Sequence, residues 1–237
     1  MMKIIFAIAL LLSIHTVFAQ TVVNDPNVEP RNVPSFHAVQ VSSAFEVMIS
    51  QGNEASVAVS ASSKDVISHI QTKVEDGVLS IWLDEKGKKW TKNRKLRAYI
   101  SVKDMDLFKA SGACDIKIDG QLKLSDLKLD LSGASDMSGK LVISGKFKVD
   151  LSGASDLKIT GSADEVVIAA EGASDVKAFD FVTSVCNVTA SGASDVRITV
   201  DKEISAKLTG ASSMSYKGGA IIKDIKTSGA SSISKKS

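Results

Sequence analysis

Residues 127–136 read Leu-Lys-Leu-Asp-Leu-Ser-Gly-Ala-Ser-Asp, and residues 147–156 repeat the plan as Phe-Lys-Val-Asp-Leu-Ser-Gly-Ala-Ser-Asp. Before each glycine, apolar residues alternate with charged or polar ones, which is the period of a β-strand that buries one face. The tetrapeptide, or a close variant of it, occurs seven times. Its glycines are Gly112, Gly133, Gly153, Gly172, Gly192, Gly210 and Gly229, at spacings of 21, 20, 19, 20, 18 and 19 residues. Such regular spacing indicates an architecture of stacked repeats.

Each repeat is interpreted as a strand, a Gly-Ala-Ser-Asp corner, a second strand and a second polar corner. Glycine suits a corner because it adopts positive φ without a Cβ clash, and short Ser and Asp side chains can bond nearby backbone N–H groups. One unit cannot bury its own apolar face, whereas parallel stacking of equivalent strands builds a continuous core. The predicted fold class is therefore all-β, a parallel β-helix or solenoid over residues 104–237 with coils of about 20 residues.

A degenerate, β-rich part precedes the regular repeats, over residues 35–103. Residues 43–49, Ser-Ala-Phe-Glu-Val-Met-Ile, align with Gly-Ala-Ser-Asp-Leu-Lys-Ile of a later copy. Because terminal repeats of a solenoid are usually atypical, this part is expected to cap or extend the stack within the same domain. Residues 63–71 are compatible with one or two helical turns, and residues 20–34, which contain three prolines, read as an extended leader.

The N-terminus predicts export. Lys3 precedes an apolar run over residues 4–12, and the stretch Val17-Phe18-Ala19 suits signal peptidase, so residues 1–19 are interpreted as a signal peptide. The run is much shorter than the roughly 20 residues of a spanning helix, and no second long run follows. The mature chain is therefore expected to lack a membrane span and to occupy the periplasm, the outer-membrane surface or the extracellular space.

Charge and composition argue against a nucleic-acid-binding protein and against a compact enzyme. The net charge is +2, and removal of Lys3 with the signal peptide leaves +1. A nearly neutral chain is not expected to bind nucleic acid. Aromatic residues make up only 5% of the sequence, which suits thin stacked layers filled by Ile, Val, Leu and Ala better than a compact enzyme core.

The aspartates that end five of the corners are a candidate metal site. Stacking would align them into one column: Asp115, Asp136, Asp156, Asp175 and Asp195. Aligned carboxylates can bind Ca²⁺, so calcium is the one cofactor that the pattern suggests. In the competing interpretation each aspartate caps its own corner through backbone hydrogen bonds, and neighbouring basic residues offset the charge. The column ends in Ser213 and Ser232, which a structural row tolerates better than a metal site.

A basic segment with an aromatic residue is a candidate ligand-binding site. Seven of the twelve residues over 86–97 are Lys or Arg, and the residues assigned to binding are Lys88, Lys89, Trp90, Lys92 and Arg94. Such a segment could hold an anionic polysaccharide or lipid headgroup, with the indole stacked on a sugar ring. The competing interpretation is a solvated hairpin tip between strands over 78–83 and 96–102.

The remaining reactive residues predict neither a disulfide nor a catalytic centre. Cys114 lies in a corner and Cys186 on an inward strand position four coils away, far beyond the ~7 Å Cα limit for a disulfide. His37 and His69 are the two histidines outside the signal peptide, and no acidic or Cys cluster accompanies them in sequence. Every coil keeps nearly the same length, whereas β-helix enzymes build clefts from irregular insertions. The chain is therefore interpreted as a non-enzyme.

The serial Ser-Gly-Ala-Ser-Asp corners, the segment over residues 41–49 and the turn Val74-Glu75-Asp76-Gly77 resemble the putative auto-transporter adhesin, head GIN domain family. The resemblance covers residues 36–231. It implies a secreted all-β protein of Bacteroidetes-like bacteria with an adhesin role and supplies no catalytic residues. The expected function is a non-catalytic interaction module of the cell envelope, whose partner is an envelope polysaccharide or a surface protein. The alternatives are a polysaccharide-acting β-helix enzyme and a structural or assembly protein of the envelope.

Overall fold

The computed structural model describes residues 25–86 and 94–237, which contain eighteen β-strands and one short helix. The N-terminal elements are β1 (Glu29–Arg31), β2 (Ala38–Ser43), β3 (Phe45–Gln51), β4 (Ser56–Ser60), α1 (Lys64–Ile67), β5 (Ile70–Glu75), β6 (Val78–Leu83) and β7 (Leu96–Val102). The repeats form β8 (Leu107–Gly112), β9 (Asp115–Leu124), β10 (Leu127–Leu131), β11 (Asp136–Ile143), β12 (Lys146–Leu151), β13 (Asp156–Ala170), β14 (Asp175–Ala190), β15 (Asp195–Leu208), β16 (Ser213–Lys217), β17 (Ile221–Thr227) and β18 (Ser232–Lys235).

The repeats stack as a parallel β-solenoid, which confirms the predicted fold class. Strand segments that end at a Gly-Ala-Ser-Asp corner form one sheet, called here the pre-corner sheet, in the order β2, β8, β10, β12, β13, β14, β15 and β17. Segments that begin after the corner form the post-corner sheet, in the order β3, β9, β11, β13, β14, β15, β16 and β18. Six coil-to-coil steps separate the first corner glycine from the last, so this stack rises by roughly 29 Å at about 4.8 Å per step.

The predicted second corner is less sharp than the first. β13 pairs with β11 through its first residues and with β12 through its last, so one continuous strand passes from the post-corner sheet to the pre-corner sheet. The register shifts within the β11–β9, β13–β14 and β14–β15 pairs. Irregularities of this kind bend a strand without ending it. In the earlier repeats the strand ends instead, at residues 125–126 and 144–145.

The N-terminal part enters the stack out of chain order. β2 and β3 form one coil, and β6 and β7 lie against the side of it that faces away from β8 and β9. The alignment of residues 43–49 with a corner is confirmed, since Ser43 stands opposite Gly112. The hairpin interpretation of residues 78–102 is wrong: β6 pairs with β2 and β5, and β7 with β3 and β4. Consecutive alternating strands look alike in sequence whether they form a hairpin or two sides of one coil.

Antiparallel strands cover this end of the solenoid. β5 pairs antiparallel with β6, β4 with β7, and β1 with β4. The one-turn helix α1 connects β4 to β5, with the Ser63 hydroxyl accepting from the Val66 N–H at its start. The predicted helical turn is confirmed, and residues 29–31 of the expected leader form β1.

The core is a continuous column of inward side chains. A single cluster of buried residues includes Val47 and Ile100 of the N-terminal part together with Leu129 and Ile168 of the repeats. In mid-stack the rings of Phe147 and Phe181 lie 5.9 Å apart at a tilted angle. Since the cluster is unbroken, both parts of the chain belong to one folded unit.

Candidate functional site

The Gly-Ala-Ser-Asp corner is a repeated hydrogen-bonded unit. Gly153 has a φ of 80°, and the Ala154 N–H donates to the Gly133 carbonyl of the preceding coil at 2.8 Å. The equivalent alanine-to-glycine bond recurs at the corners from Gly133 to Gly229, so the β-ladder continues across the corner. Glycine and alanine are exposed at these corners, and together they form a narrow ridge without large side chains.

The corner serine is buried and bonds the backbone in two directions. The Ser155 hydroxyl accepts from the Ser135 N–H of the preceding coil at 3.4 Å, as expected of a corner serine, and it also donates to the Ser152 carbonyl three residues earlier at 3.0 Å. The same donated bond is made by Ser135, Ser174, Ser194, Ser212 and Ser231. In the first corner the Cys114 thiol points to the Ser111 carbonyl at 3.6 Å, which explains how cysteine replaces serine there.

The aspartate column is present as predicted. Asp115, Asp136, Asp156, Asp175 and Asp195 stand opposite one another in register, followed by Ser213 and Ser232. Glu46 extends the column at its N-terminal end. A second outward column, two residues further along each strand, contains Lys117, Lys158, Lys177 and Arg197. The two columns together are called here the charge ladder.

Ion pairs offset the carboxylates of the charge ladder. Lys177 lies 2.8 Å from Asp156 and 3.3 Å from Asp175, and hydrogen bonding to Asp156 raises the pKa of Lys177. Lys117 pairs with Asp115, and Arg197 with Asp195. Asp136 instead accepts a hydrogen bond from the Asp156 N–H of the next coil at 3.2 Å. That carboxylate bridges successive coils, which differs from the expectation that each aspartate caps its own corner.

The aspartates do not gather into a chelating group. Within residues 25–86 and 94–237, no three His, Cys, Asp or Glu side chains are grouped so that they could hold a metal ion. Since strands in register place one carboxylate on each coil, and four of the five have a basic partner, the ladder is a charge-compensated surface.

The basic segment is only partly described. Lys88, Lys89, Trp90 and Lys92 lie outside the described residues, as does the signal peptide over residues 1–19, so both assignments stay predictions. Arg94 forms an ion pair with Glu85. Arg97 pairs with Asp25 at 3.1 Å and with Glu46 at 2.9 Å. Both of these guanidinium groups have acidic partners within the chain.

Asp25 anchors the N-terminal segment to the solenoid. Its carboxylate is 7% exposed and accepts hydrogen bonds from Arg97, Tyr99 and the Asn27 N–H. Burial by itself raises the pKa of Asp25, but the Ser60 side chain and these three donors together lower it to about 2. The group is therefore a structural carboxylate held in its charged form.

The two thiols are buried in separate places. Both Cys114 and Cys186 are unbridged, and burial raises the pKa of Cys186 to about 12. Burial also raises the pKa of Cys114. Because the thiolate is the reactive form, neither residue is suited to nucleophilic chemistry, and Cys186 is a small core residue as predicted.

One histidine has an acidic partner that the sequence pattern did not reveal. The Nδ1 atom of His37 lies 3.0 Å from both carboxylate oxygens of Asp106. The two residues are 69 positions apart, and only the stacking of β2 beside β8 brings them together. The Cδ2–Nε2 edge of the ring lies beside Gly77, in the space that a Cβ of that residue would need.

Two shallow grooves lie in the outer surface. One, of about 320 Å³, is lined by Gln40, Ser42, Lys73, Glu75, Ser80, Ile81 and Trp82 on the pre-corner side. The other, of about 490 Å³, lies at the second corner near Lys103 and Lys123. Trp82 is not among the site residues predicted from the sequence. The available signal was a tryptophan on the outward, otherwise polar phase of the alternation in Leu79-Ser80-Ile81-Trp82-Leu83.

No helix among the described residues is long and apolar enough to cross a membrane. The family model described as "Putative auto-transporter adhesin, head GIN domain" matches residues 35–220. None of the curated proteins matches the chain.

Several solved structures share the fold. A putative adhesin from Bacteroides fragilis has a TM-score of 0.83 at 20% identity, covering 88% of this chain and 96% of its own. A putative adhesin from Parabacteroides merdae has a TM-score of 0.69 at 16% identity, covering 89% and 96%. A structure described as a putative lipid binding protein from Parabacteroides distasonis has a TM-score of 0.67 at 15% identity, covering 90% and 98%. At these identities the likeness shows the fold.

Proposed function

Because the chain belongs to the putative auto-transporter adhesin, head GIN domain family, we propose that it is a secreted, non-catalytic interaction module of the bacterial cell envelope. It meets its partner through the charge ladder of the post-corner sheet. The observation that carries this proposal is the register of the ladder, in which Asp115, Asp136, Asp156, Asp175 and Asp195 occupy successive coils. A partner that repeats at the same step would gain one polar contact from each coil.

The rigidity of the support favours binding of an extended partner. Each charged residue of the ladder sits on a strand paired on both sides, so its backbone is fixed before binding and little conformational entropy remains to be lost. Extended, regular surfaces are what solenoid proteins commonly use for recognition. An envelope polysaccharide with regularly spaced charged or hydroxyl groups fits this surface, as does a surface protein with a complementary row of charges.

Three local features support a role without catalysis. The grooves are shallow. The His37–Asp106 pair is exposed, and the Nε2 atom of His37 lies beside Gly77. The carboxylate whose pKa is strongly lowered, Asp25, has a structural role. A catalytic site needs an acid or base and a nucleophile converging on a substrate position. The opposing hypothesis, a polysaccharide-acting enzyme, requires product release from a polymer, and the experiment below measures it.

The test is binding of the mature protein, residues 20–237, to an array of envelope polysaccharides and to whole cells. The ladder variant replaces Asp156, Asp175 and Asp195 by Ser. Serine occupies the same register at Ser213 and Ser232, so the chain itself shows that the strand accepts it. We expect at least about a tenfold loss of affinity, and weaker binding of the wild type at high salt, because exposed charges are screened.

A matched control replaces Lys128 and Lys148 by Ser on the pre-corner sheet, where both pair with Asp150. This variant should bind like the wild type. A third variant, with Lys88, Lys89 and Trp90 replaced by Ala, tests the basic segment separately. Undiminished binding by the ladder variant would overturn the assignment of the charge ladder. Release of soluble oligosaccharides from any polymer would replace the proposal by the enzyme hypothesis.

A further inference from the structure

The groove at Trp82 is built by three strands in register. On the outward side of the sheet, Trp82 of β6 stands opposite Gln71 of β5. Ser80, two residues before Trp82, stands opposite Lys73 on one side and Gln40 of β2 on the other. Because side chains alternate along a strand, these residues all project from the same face of the sheet.

Differences in side-chain size create the groove. Ser42 and Ser80 are short and partly buried, so they form a floor, while the half-buried indole of Trp82 forms a wall. Exposed Gln40 and Lys73 form the rim. The space of about 320 Å³ is open on one side, which suits one ring of a longer chain.

The chemistry of the lining selects the ligand class. An indole offers a flat apolar face with negative π density, against which the polarised C–H groups on one face of a pyranose ring can pack. The Ser42 and Ser80 hydroxyls and the Gln40 amide can donate to and accept from the sugar hydroxyls around the ring. The Lys73 ammonium forms an ion pair with Glu75, so the rim has no excess charge with which to attract a carboxylate or phosphate.

We propose that this groove is a binding subsite for a neutral hexopyranose unit of a glycan, with Trp82 as the stacking platform and Gln40 as the principal hydrogen-bonding residue. A few convergent polar groups beside an apolar surface are typical of small-ligand sites. Their placement on paired strands fixes the geometry before the sugar binds. The subsite lies on the pre-corner side of the capped end, away from the charge ladder, so it functions whether or not the ladder binds a partner.

Tryptophan fluorescence tests the subsite directly. The chain has two tryptophans, so a Trp90→Phe background leaves Trp82 as the reporter. The mature protein is titrated with maltotriose, cellotriose and mannotriose, with trigalacturonate as the acidic comparison. We expect a saturable change in emission with at least one neutral trisaccharide at millimolar concentration, and weaker binding of trigalacturonate.

Variants separate stacking from other effects. By isothermal titration with the same trisaccharide, Trp82→Ala should weaken binding at least about tenfold and Gln40→Ala about fivefold, since each removes one of the principal contacts. Trp82→Phe should retain part of the affinity. Lys128→Ser, on the same sheet but outside the groove, should retain all of it. Far-UV circular dichroism and the thermal midpoint establish that each variant is folded.

Three results would overturn the subsite: no saturable response to any of the neutral trisaccharides, equal binding by folded Trp82→Ala, or tighter binding of trigalacturonate than of every neutral sugar. Loss of binding in Trp90→Ala with retention in Trp82→Ala would transfer the sugar site to the basic segment and also contradict the proposal. None of these results depends on the ladder variant, so failure of this subsite and failure of the charge ladder are distinguishable.

Discussion

At the scale of the residue, the corner must be glycine mainly because a side chain there would clash with the neighbouring coil. The positive φ of the corner is the smaller reason. A Cβ built on Gly153 would lie 2.4 Å from the carbonyl oxygen of Gly133, the atom that accepts the Ala154 N–H. Ser43 occupies the same register with a φ of 87°, so a side chain is compatible with the corner backbone. The stacking of identical corners is what excludes one.

Gly153→Ala should therefore destabilise the protein by about 3 kcal/mol or more, because a clash with backbone is added to the cost of a left-handed residue. The measurement is the free energy of unfolding in denaturant. Gly120→Ala is the matched control, since Gly120 has a φ of 73° but no atom within 4 Å of the added Cβ. Its expected cost is about 1–2 kcal/mol. If the two variants lost the same free energy of unfolding, the preceding coil would not contribute to the requirement for glycine at position 153.

At the scale of the element, the sequence predicts what each strand looks like but not which strand lies beside it. The repeat strands were placed correctly because identical corners at near-constant spacing specify their register. The predicted hairpin between β6 and β7 is wrong, because a local alternation of apolar and polar residues does not indicate which strand lies beside it. β6 pairs with β2, and β7 pairs with β3. For the same reason the sequence does not predict the Trp82 groove, which requires β6 beside β2, or the His37–Asp106 pair, which requires β2 beside β8.

The stability of the N-terminal cap should depend on pH through Asp25. This carboxylate connects the segment before β1 to Arg97 and Tyr99 of β7. The folded pKa of Asp25 is about 2, below its ordinary value of 3.8, so its stabilising contribution is present above about pH 4 and is lost as the pH falls towards 2. This contribution is about 2–3 kcal/mol, because the folded pKa lies roughly two units below the ordinary value and one unit corresponds to about 1.36 kcal/mol.

Asp25→Asn should remove this contribution at neutral pH and flatten the decline in unfolding free energy between pH 4 and pH 2. The check is denaturant unfolding at several pH values for both proteins. Glu75→Gln, at an exposed ion pair with Lys73, is the control and should behave like the wild type, because surface pairs contribute little. A wild-type profile that is flat over this interval would contradict the structural role of Asp25.

At the scale of the whole molecule, the two ends of the solenoid are unequal. The N-terminal end is covered by β5 on one sheet and by β4 and β1 on the other. At the C-terminal end, within the described chain, β17 pairs only with β15 and β18 only with β16. Ile221 and Ile222 of β17 are 66% and 47% exposed, so the last coil buries little apolar surface.

A solenoid is stabilised mainly by contacts between adjacent coils, and a coil with one neighbour should open at a lower free energy than a coil with two. We therefore expect native-state amide hydrogen exchange in β17 and β18 to be at least about tenfold faster than in β13 and β14. β4, which has a partner on each side, should exchange as slowly as the central strands despite its place in the cap. Uniform protection along the chain would instead mean that the stack opens as a single cooperative unit, and the unequal ends would then have no energetic consequence. Protection of β17 that rises with protein concentration would show that a second copy covers the open end, so the measurement also separates an uncapped coil from an assembling one.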